Sequence, residues 1–275
     1  MDIKDFIYVF WKKEQKEFKK NISVLKKHPA KKAVHDLRVA VKKLRAATEL
    51  YYHVSEKPLP EDPLQETEKF FSILGKQRDV EICLEIIDKI QKETGKKFPE
   101  LKCYFRTILS VTHNWSKKAI NNYKKKELGN LSLKIKDEMP VIEEDKLKNK
   151  IINIINTHLA GSTDLYKKPH KLRQQLKEIY YWIKMLPQSL FNRFEYEKDL
   201  HHLLEDYGNW QNFIVFEIKL KHFRKDYLSK TFSEYESIKF LENDIKEKKE
   251  RLLKDAFYKT RKLLKQVAIA EKEKP

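Results

Sequence analysis

The run His35-Asp36-Leu37-Arg38-Val39-Ala40-Val41-Lys42-Lys43-Leu44-Arg45 spaces a histidine and several cations three and four residues apart. At about 100° per residue, His35, Arg38, Lys42 and Arg45 fall within an arc of roughly 80°, and Lys31, one turn earlier, lies inside it. Val34, Leu37, Val41 and Leu44 take the adjoining arc. A helix built this way buries one face and offers the next as a file of positive charge. That arrangement suits a long anion better than a localised transition state. An ordinary solvated face mixes acids among its bases, whereas Glu49, at the far end, is the only acid close to this arc. His35 has two readings, a structural histidine or a direct phosphate ligand. As a ligand it would be strengthened by protonation, with nearby cations lowering its pKa and a bound polyanion raising it.

The pattern recurs. His170-Lys171-Leu172-Arg173-Gln174-Gln175-Leu176-Lys177 repeats the spacing of His35, Arg38 and Lys42. Farther on, Leu74-Gly75-Lys76-Gln77-Arg78-Asp79 has a counterpart in Tyr207-Gly208-Asn209-Trp210-Gln211-Asn212. The histidine-to-glycine distance is 40 residues in the first half and 38 in the second. Two matches in the same order predict an internal repeat. The second copy departs from the first: Tyr180 stands where Arg45 stands, and Lys184 returns to the arc one turn later. Asn212 replaces the acid that follows the first glycine. Pro169 suits the first turn of a helix, and it sets His170 near exposed N–H groups that favour an anion.

Weaker stripes lie elsewhere. Arg106, His113, Lys117 and Lys124 share a narrow arc, as do Lys254, Tyr258, Arg261 and Lys265; if two bundles face each other, these are the residues expected to widen a cleft between them. Phe70-Phe71, Tyr51-Tyr52 and Tyr180-Tyr181-Trp182 follow the helical apolar period and read as core, not as base-stacking platforms. Asp79 and Asn212 invite a catalytic or metal reading. An acid beside Arg78 after a glycine is better read as fixing local geometry or orienting a cation. No metalloprotease, Walker or nucleophile-elbow pattern appears, and no metal or cofactor is expected.

The elements that must position these residues are helices. Five glycines and nine prolines punctuate 275 residues, and apolar side chains recur at three- and four-residue intervals, with no alternating strand pattern. The pattern predicts helices over 2–27, 30–55, 63–93, 98–127, 146–160, 169–186, 193–209, 210–229 and 233–270. Breaks are expected at His28-Pro29, Pro58 to Pro60, Gly95, Gly129-Asn130, Gly161-Ser162, Lys168-Pro169 and Leu186-Pro187, with Gly129 to Asp145 as a central linker. The expected fold is all-α, a single domain over 1–275 made of two antiparallel helical bundles, 1–128 and 146–275, meeting face to face.

Fifty-nine Lys and Arg against 41 Asp and Glu give a net charge of +18, and a hydrophobic fraction of 40% argues against wholesale disorder. The charge selects polyanions as a class: nucleic acid, polyphosphate or an anionic membrane surface. Cys83 and Cys103 provide neither a disulfide framework nor a metal-ligand spacing, which predicts a reduced, cytoplasmic setting. No apolar window approaches the roughly 18 residues of a membrane span, and no secretory signal is visible.

On its two histidine motifs and the Leu74-Gly75-x-x-Arg78-Asp79 element, the chain resembles the CHAD family, the conserved histidine alpha-helical domains. The resemblance implies pseudo-twofold-related bundles whose basic helices line a central cleft that binds inorganic polyphosphate, association with polyphosphate granules, and no catalysis. The implied ligands for phosphoryl oxygens are Arg38, Arg45 and Arg173 through forked contacts, with Lys31, Lys42, Lys177 and Lys184 as point charges. Two other readings stay open: an RNA- or DNA-binding helical protein, and an enzyme acting on phosphate esters or polyphosphate. Oligomeric state is not readable from the sequence.

Overall fold

Apolar residues at helical spacing, with glycine or proline at the ends, yield an all-helical chain. The computed structural model describes residues 5–28, 30–61, 63–123, 126–139, 143–187, 196–227, 229 and 231–272. Among them run α1 (Phe6–Lys27), α2 (Lys31–Ser55), α3 (Gln65–Thr94), α4 (Pro99–Asn122), α5 (Lys126–Asp137), α6 (Glu144–Gly161), α7 (Pro169–Met185), α8 (Glu197–Tyr227) and α9 (Tyr235–Lys272), with a 3₁₀ turn at Ser162–Leu165. No strand occurs among the described residues. Gly95 ends α3 in the left-handed region, φ 71°, with its N–H donating to the Gln91 carbonyl at 2.9 Å. Pro99 and Pro169 open α4 and α7, where a missing N–H costs nothing.

Two expectations are corrected. The proposed linker from Gly129 to Asp145 contains most of α5, which buries Leu128, Leu131, Ser132 and Ile135 and packs against α1. Three buried aliphatics, each worth about 1.5–3 kcal/mol, outweigh the roughly 1 kcal/mol that a helical glycine costs, so Gly129 is carried inside the helix. Glu127 in the first turn of α5 then caps α3, accepting from the Glu66 and Thr67 N–H groups at 3.0 and 2.9 Å. Pro140, which suggested the linker, lies outside the described residues. The break expected between 209 and 210 is also absent: α8 is continuous through Gly208, with Tyr207 and Trp210 buried on either side.

The buried side chains form two clusters. The first joins Trp11 and Phe18 of α1, Leu37 and Leu44 of α2, Ile151 and Ile155 of α6, and Leu176 and Trp182 of α7 with the first part of α8 and the last part of α9. The second joins Val80 and Ile87 of α3, Leu101 and Phe105 of α4, Phe216 and Leu220 of α8, and Ile238 and Leu241 of α9. Each core therefore draws on both halves of the chain. α3 passes from the first core at Leu74 to the second at Val80, and α8 does the same between Trp210 and Phe216. A helix that changes buried face along its length shows a broken apolar period, which is why α8 reads as two helices in sequence. α2 packs on α3 and α7, and α8 packs on the same two helices, closing a ring of four.

Candidate functional site

Where α3 and α8 cross from one core to the other, the ring of four helices encloses a cavity of about 720 Å³. α2 contributes His35, Arg38, Val39, Lys42, Arg45 and Glu49. α7 contributes His170, Arg173, Gln174, Lys177, Glu178 and Tyr181. α3 adds Phe71, Arg78, Asp79 and Ile82, and α8 adds Gln211, Asn212 and Val215. Both sequence stripes and both glycine-linked elements thus meet at one place. Six Lys and Arg side chains face three acids there, so the cavity keeps a positive surplus with its histidines neutral.

The α2 side is anchored by its apolar arc: Leu37, Val41 and Leu44 are wholly buried and Val34 is 1% exposed, which fixes the rotation that aims the cations inward. Arg38 Nη1 donates to the Phe71 carbonyl at 2.8 Å, and its guanidinium lies 4.0 Å from the Phe71 ring centre. Lys42 and Arg45 stand over the same ring at 5.8 and 5.5 Å. Gly75 makes this packing possible, because a Cβ there would come within 2.8 Å of Arg38 Nη1. Burial lowers the Arg38 pKa, and Asp79 is the first charge to oppose that shift. Asp79 is itself raised by burial against the pull of Arg38. Arg45 donates from Nε to Glu68 Oε1 at 2.7 Å, with Nη2 on the same oxygen.

On the α7 side the cations have fewer partners. Arg173 is lowered by burial, and its Nε is buried without a hydrogen-bond partner. His170 Nδ1 and Gln211 Oε1 are 3.0 Å apart. Lys177 stands 5.7 Å from the Tyr181 ring centre. Burial, then Lys177 and Arg38, push Lys42 down to about 6; burial, then Arg173 and Arg38, push Lys177 down to about 8. His35 is lowered by burial and by Arg78. Glu49 and Glu178 meet in the same cavity, each raised chiefly by burial, and Glu49 further by Glu178.

The remaining expected ligands lie elsewhere. Lys31 pairs with Glu85, which also takes Arg78 at 2.8 Å. Lys184 pairs with Glu197 at 3.3 Å and does not line the cavity, so it does not stand in for the arginine missing from the second copy. Tyr180 instead stacks on His201 at 5.5 Å. Arg106, Lys117, Lys254, Arg261 and Lys265 are exposed and none lines the cavity. The buried arc of α9, through Ala256, Thr260, Leu263 and Leu264, turns its basic arc outward. Lys124 lies outside the described residues. Phe71 and Tyr181 read as core from the sequence, and Tyr181 does lie in the first buried cluster with Phe71 packed against it, but both also line the cavity, as does Glu178, which the sequence does not single out. Phe71 follows buried Phe70 on a helix whose apolar face is about to change, and that change was the available signal.

Among the described residues, no helix is long and apolar enough to cross a membrane, and no three His, Cys, Asp or Glu side chains are grouped so as to hold a metal ion.

A family model described as CHAD domain matches residues 12–220. Among solved structures, the chain is similar to the crystal structure of the CHAD domain from the plant Ricinus communis, with a TM-score of 0.74 and 14% identity over 95% of this chain and 92% of that one. A search of curated proteins finds no match.

Proposed function

We propose, from the premise that this chain belongs to the CHAD domain family, that it binds inorganic polyphosphate in the cavity between α2, α3, α7 and α8 and does not transform it. The observation that carries this reading is the convergence of Arg38, Lys42 and Arg45 with Arg173 and Lys177 around one cavity. Guanidinium groups offer forked donors to phosphoryl oxygens, and lysines add less directional charge. A nucleic acid would also want exposed aromatic faces for its bases. The Phe71 ring is already covered by three cations, and Tyr181 is 7% exposed with Lys177 over it. That occupation favours a ligand of repeated phosphoryl groups without bases.

Replacing Arg38, Lys42 and Arg45 together by alanine removes two charge-assisted contacts of about 1.5–3 kcal/mol each and the weaker contact of Arg45, whose donors Glu68 shares. Long-chain polyphosphate binding falls about a thousandfold or more while helix content is retained; a triple variant that binds like the parent overturns the site. Matched-charge RNA or duplex DNA displacing polyphosphate at equal concentration would replace this reading with a nucleic-acid one. Orthophosphate release with magnesium or manganese would make the protein an enzyme. In cells, the parent protein gathers at polyphosphate granules in the cytoplasm and the triple variant does not.

A further inference from the structure

Lys42 of α2 and Lys177 of α7 meet across the cavity, with the amine of one close enough to bond to the other. Two ammonium groups at that separation in a part-buried site repel strongly. The charges that act most on Lys42, after its burial, are Lys177, Arg38, Arg173 and Arg45, all of one sign. No carboxylate is among the main influences on either lysine. We infer that the free cleft holds this pair as one amine hydrogen-bonded to one ammonium, and that the cleft takes up a proton when phosphoryl oxygens arrive and make the second ammonium. This rests on the polyphosphate reading and adds a proton-linked control of affinity to it.

The neighbours on each helix fit the inference. On α2, His35 is lowered by burial and Arg78, so it too is largely neutral above its ordinary range and serves as a control. On α3, Arg78 is held charged by Glu85 and Glu81 despite its burial, and Asp79 answers mainly to Arg38. On α7, Arg173 stays cationic and Glu178 shares its surroundings with Glu49 of α2, both raised, so this acid pair does little to neutralise the lysines. α8 presents the neutral Gln211 and Asn212. α1 presents Glu14, which is bonded to Lys43 at 2.9 Å, and α6 presents His158, whose charge acts on Glu178.

The sign follows from linkage. Lys42, pushed to about 6 in the free cleft, is mostly uncharged at neutral pH, and a bound polyanion raises it. Below that value the second charge is already present and binding needs no proton. Above it, each unit of pH weakens binding by about tenfold, until the pH passes the raised value of the bound state.

Titration calorimetry of the full chain with long-chain polyphosphate, in two buffers of different ionisation enthalpy, counts the proton directly. About one proton is taken up near pH 7.5 and much less near pH 5.5. Lys42→Arg, charged throughout, leaves Lys177 beside a permanent cation and so moves the uptake to Lys177, whereas Lys42→Arg with Lys177→Arg binds without it and with a flatter pH profile. Lys42→Gln, which leaves Lys177 without an ammonium neighbour, reduces the uptake by about one proton and covers the case in which two arginines do not fit. His35→Gln keeps the Lys42 proton. Binding without uptake in the parent, or uptake unchanged in both Lys42→Gln and the double arginine variant, overturns the inference and leaves the polyphosphate site standing. Failure of the parent to bind polyphosphate takes down the site and the inference together.

Discussion

The two helices that face each other across the cavity carry the same residue types at the same spacing, yet they hold their charges differently. On α2, Arg45 is bound to Glu68, Arg38 to the Phe71 carbonyl with Asp79 near, and Lys31 to Glu85. On α7, Arg173 has a buried Nε with no hydrogen-bond partner, and His170 faces the neutral Gln211. The acids that quiet α2 come from α3, whereas α8 supplies α7 with Glu197 for Lys184, outside the cavity, and with no acid facing Arg173 or Lys177 in the cavity lining. Counted from their glycines, Glu68, Asp79 and Glu85 of α3 correspond to His201, Asn212 and Ile218 of α8. The Arg45–Glu68 ion pair of the first half has its counterpart in the Tyr180–His201 stack of the second. Counting cations ranks α2 above α7. Counting cations that lack a protein partner reverses the order, and that second count is the one an arriving anion meets.

The largest effect that can break this comparison is loss of the α7 pair. Arg173→Ala with Lys177→Ala lowers polyphosphate affinity at least a hundredfold, since two contacts of about 1.5–3 kcal/mol each are lost. A loss below tenfold would return α7 to the minor role that its missing arginine suggests. Single substitutions sharpen the point. Arg173→Gln costs tenfold or more in affinity, while Arg45→Gln costs only a few fold, because Arg45 already shares its donors with Glu68. In thermal melts Arg173→Gln is neutral or stabilising, as removing an unpartnered buried charge relieves its desolvation. Arg45→Gln is mildly destabilising. An affinity ranking with Arg45 above Arg173 would sink the account.

The rotation of α2 was legible because four apolar residues border the cationic arc sharply, and a helix with one buried face can be oriented from sequence alone. The meeting of α2 with α7 was legible through the repeat. What was not legible depends on helices that serve two cores. α8 read as two helices, and Phe71 read as core, because α3 and α8 change their buried face in mid-course. α5 was lost to a glycine whose cost is small beside the burial of Leu128, Leu131 and Ile135. The pairing of Lys31, Arg45 and Lys184 with acids was also hidden, since each partner comes from a different helix.

The two glycines test the comparison with a smaller effect. At Gly75 an added methyl would meet Arg38 Nη1 at 2.8 Å, whereas at Gly208 nothing lies within 4 Å. Gly75→Ala therefore displaces the guanidinium and lowers polyphosphate affinity about tenfold, with little change in melting, because the far end of a long side chain can move aside. Gly208→Ala leaves affinity unchanged and raises stability by about 0.5–1 kcal/mol through helix propensity. Equal binding losses at the two positions would mean that Gly75 does not serve Arg38.

Lys31 and Lys184 give the smallest effect and the most discriminating one. Both fall on the cationic arcs in sequence, and both are paired outside the cavity, Lys31 with Glu85 and Lys184 with Glu197 at 3.3 Å. If affinity followed the total charge of each face, alanine at either position would weaken binding as much as alanine at a cavity cation. If it follows charge delivered into the cavity, each change stays within about twofold at physiological salt, where screening acts over about 8 Å. Lys31→Ala adds a further distinction. It leaves Glu85 to Arg78 alone, so the carboxylate draws Arg78 more tightly and any small loss of affinity comes through Arg78. The Lys31→Ala, Glu85→Ala double variant therefore releases Arg78 and binds more tightly than the parent, while a purely additive charge effect, with one cation and one anion removed, would only return its affinity to the parent's.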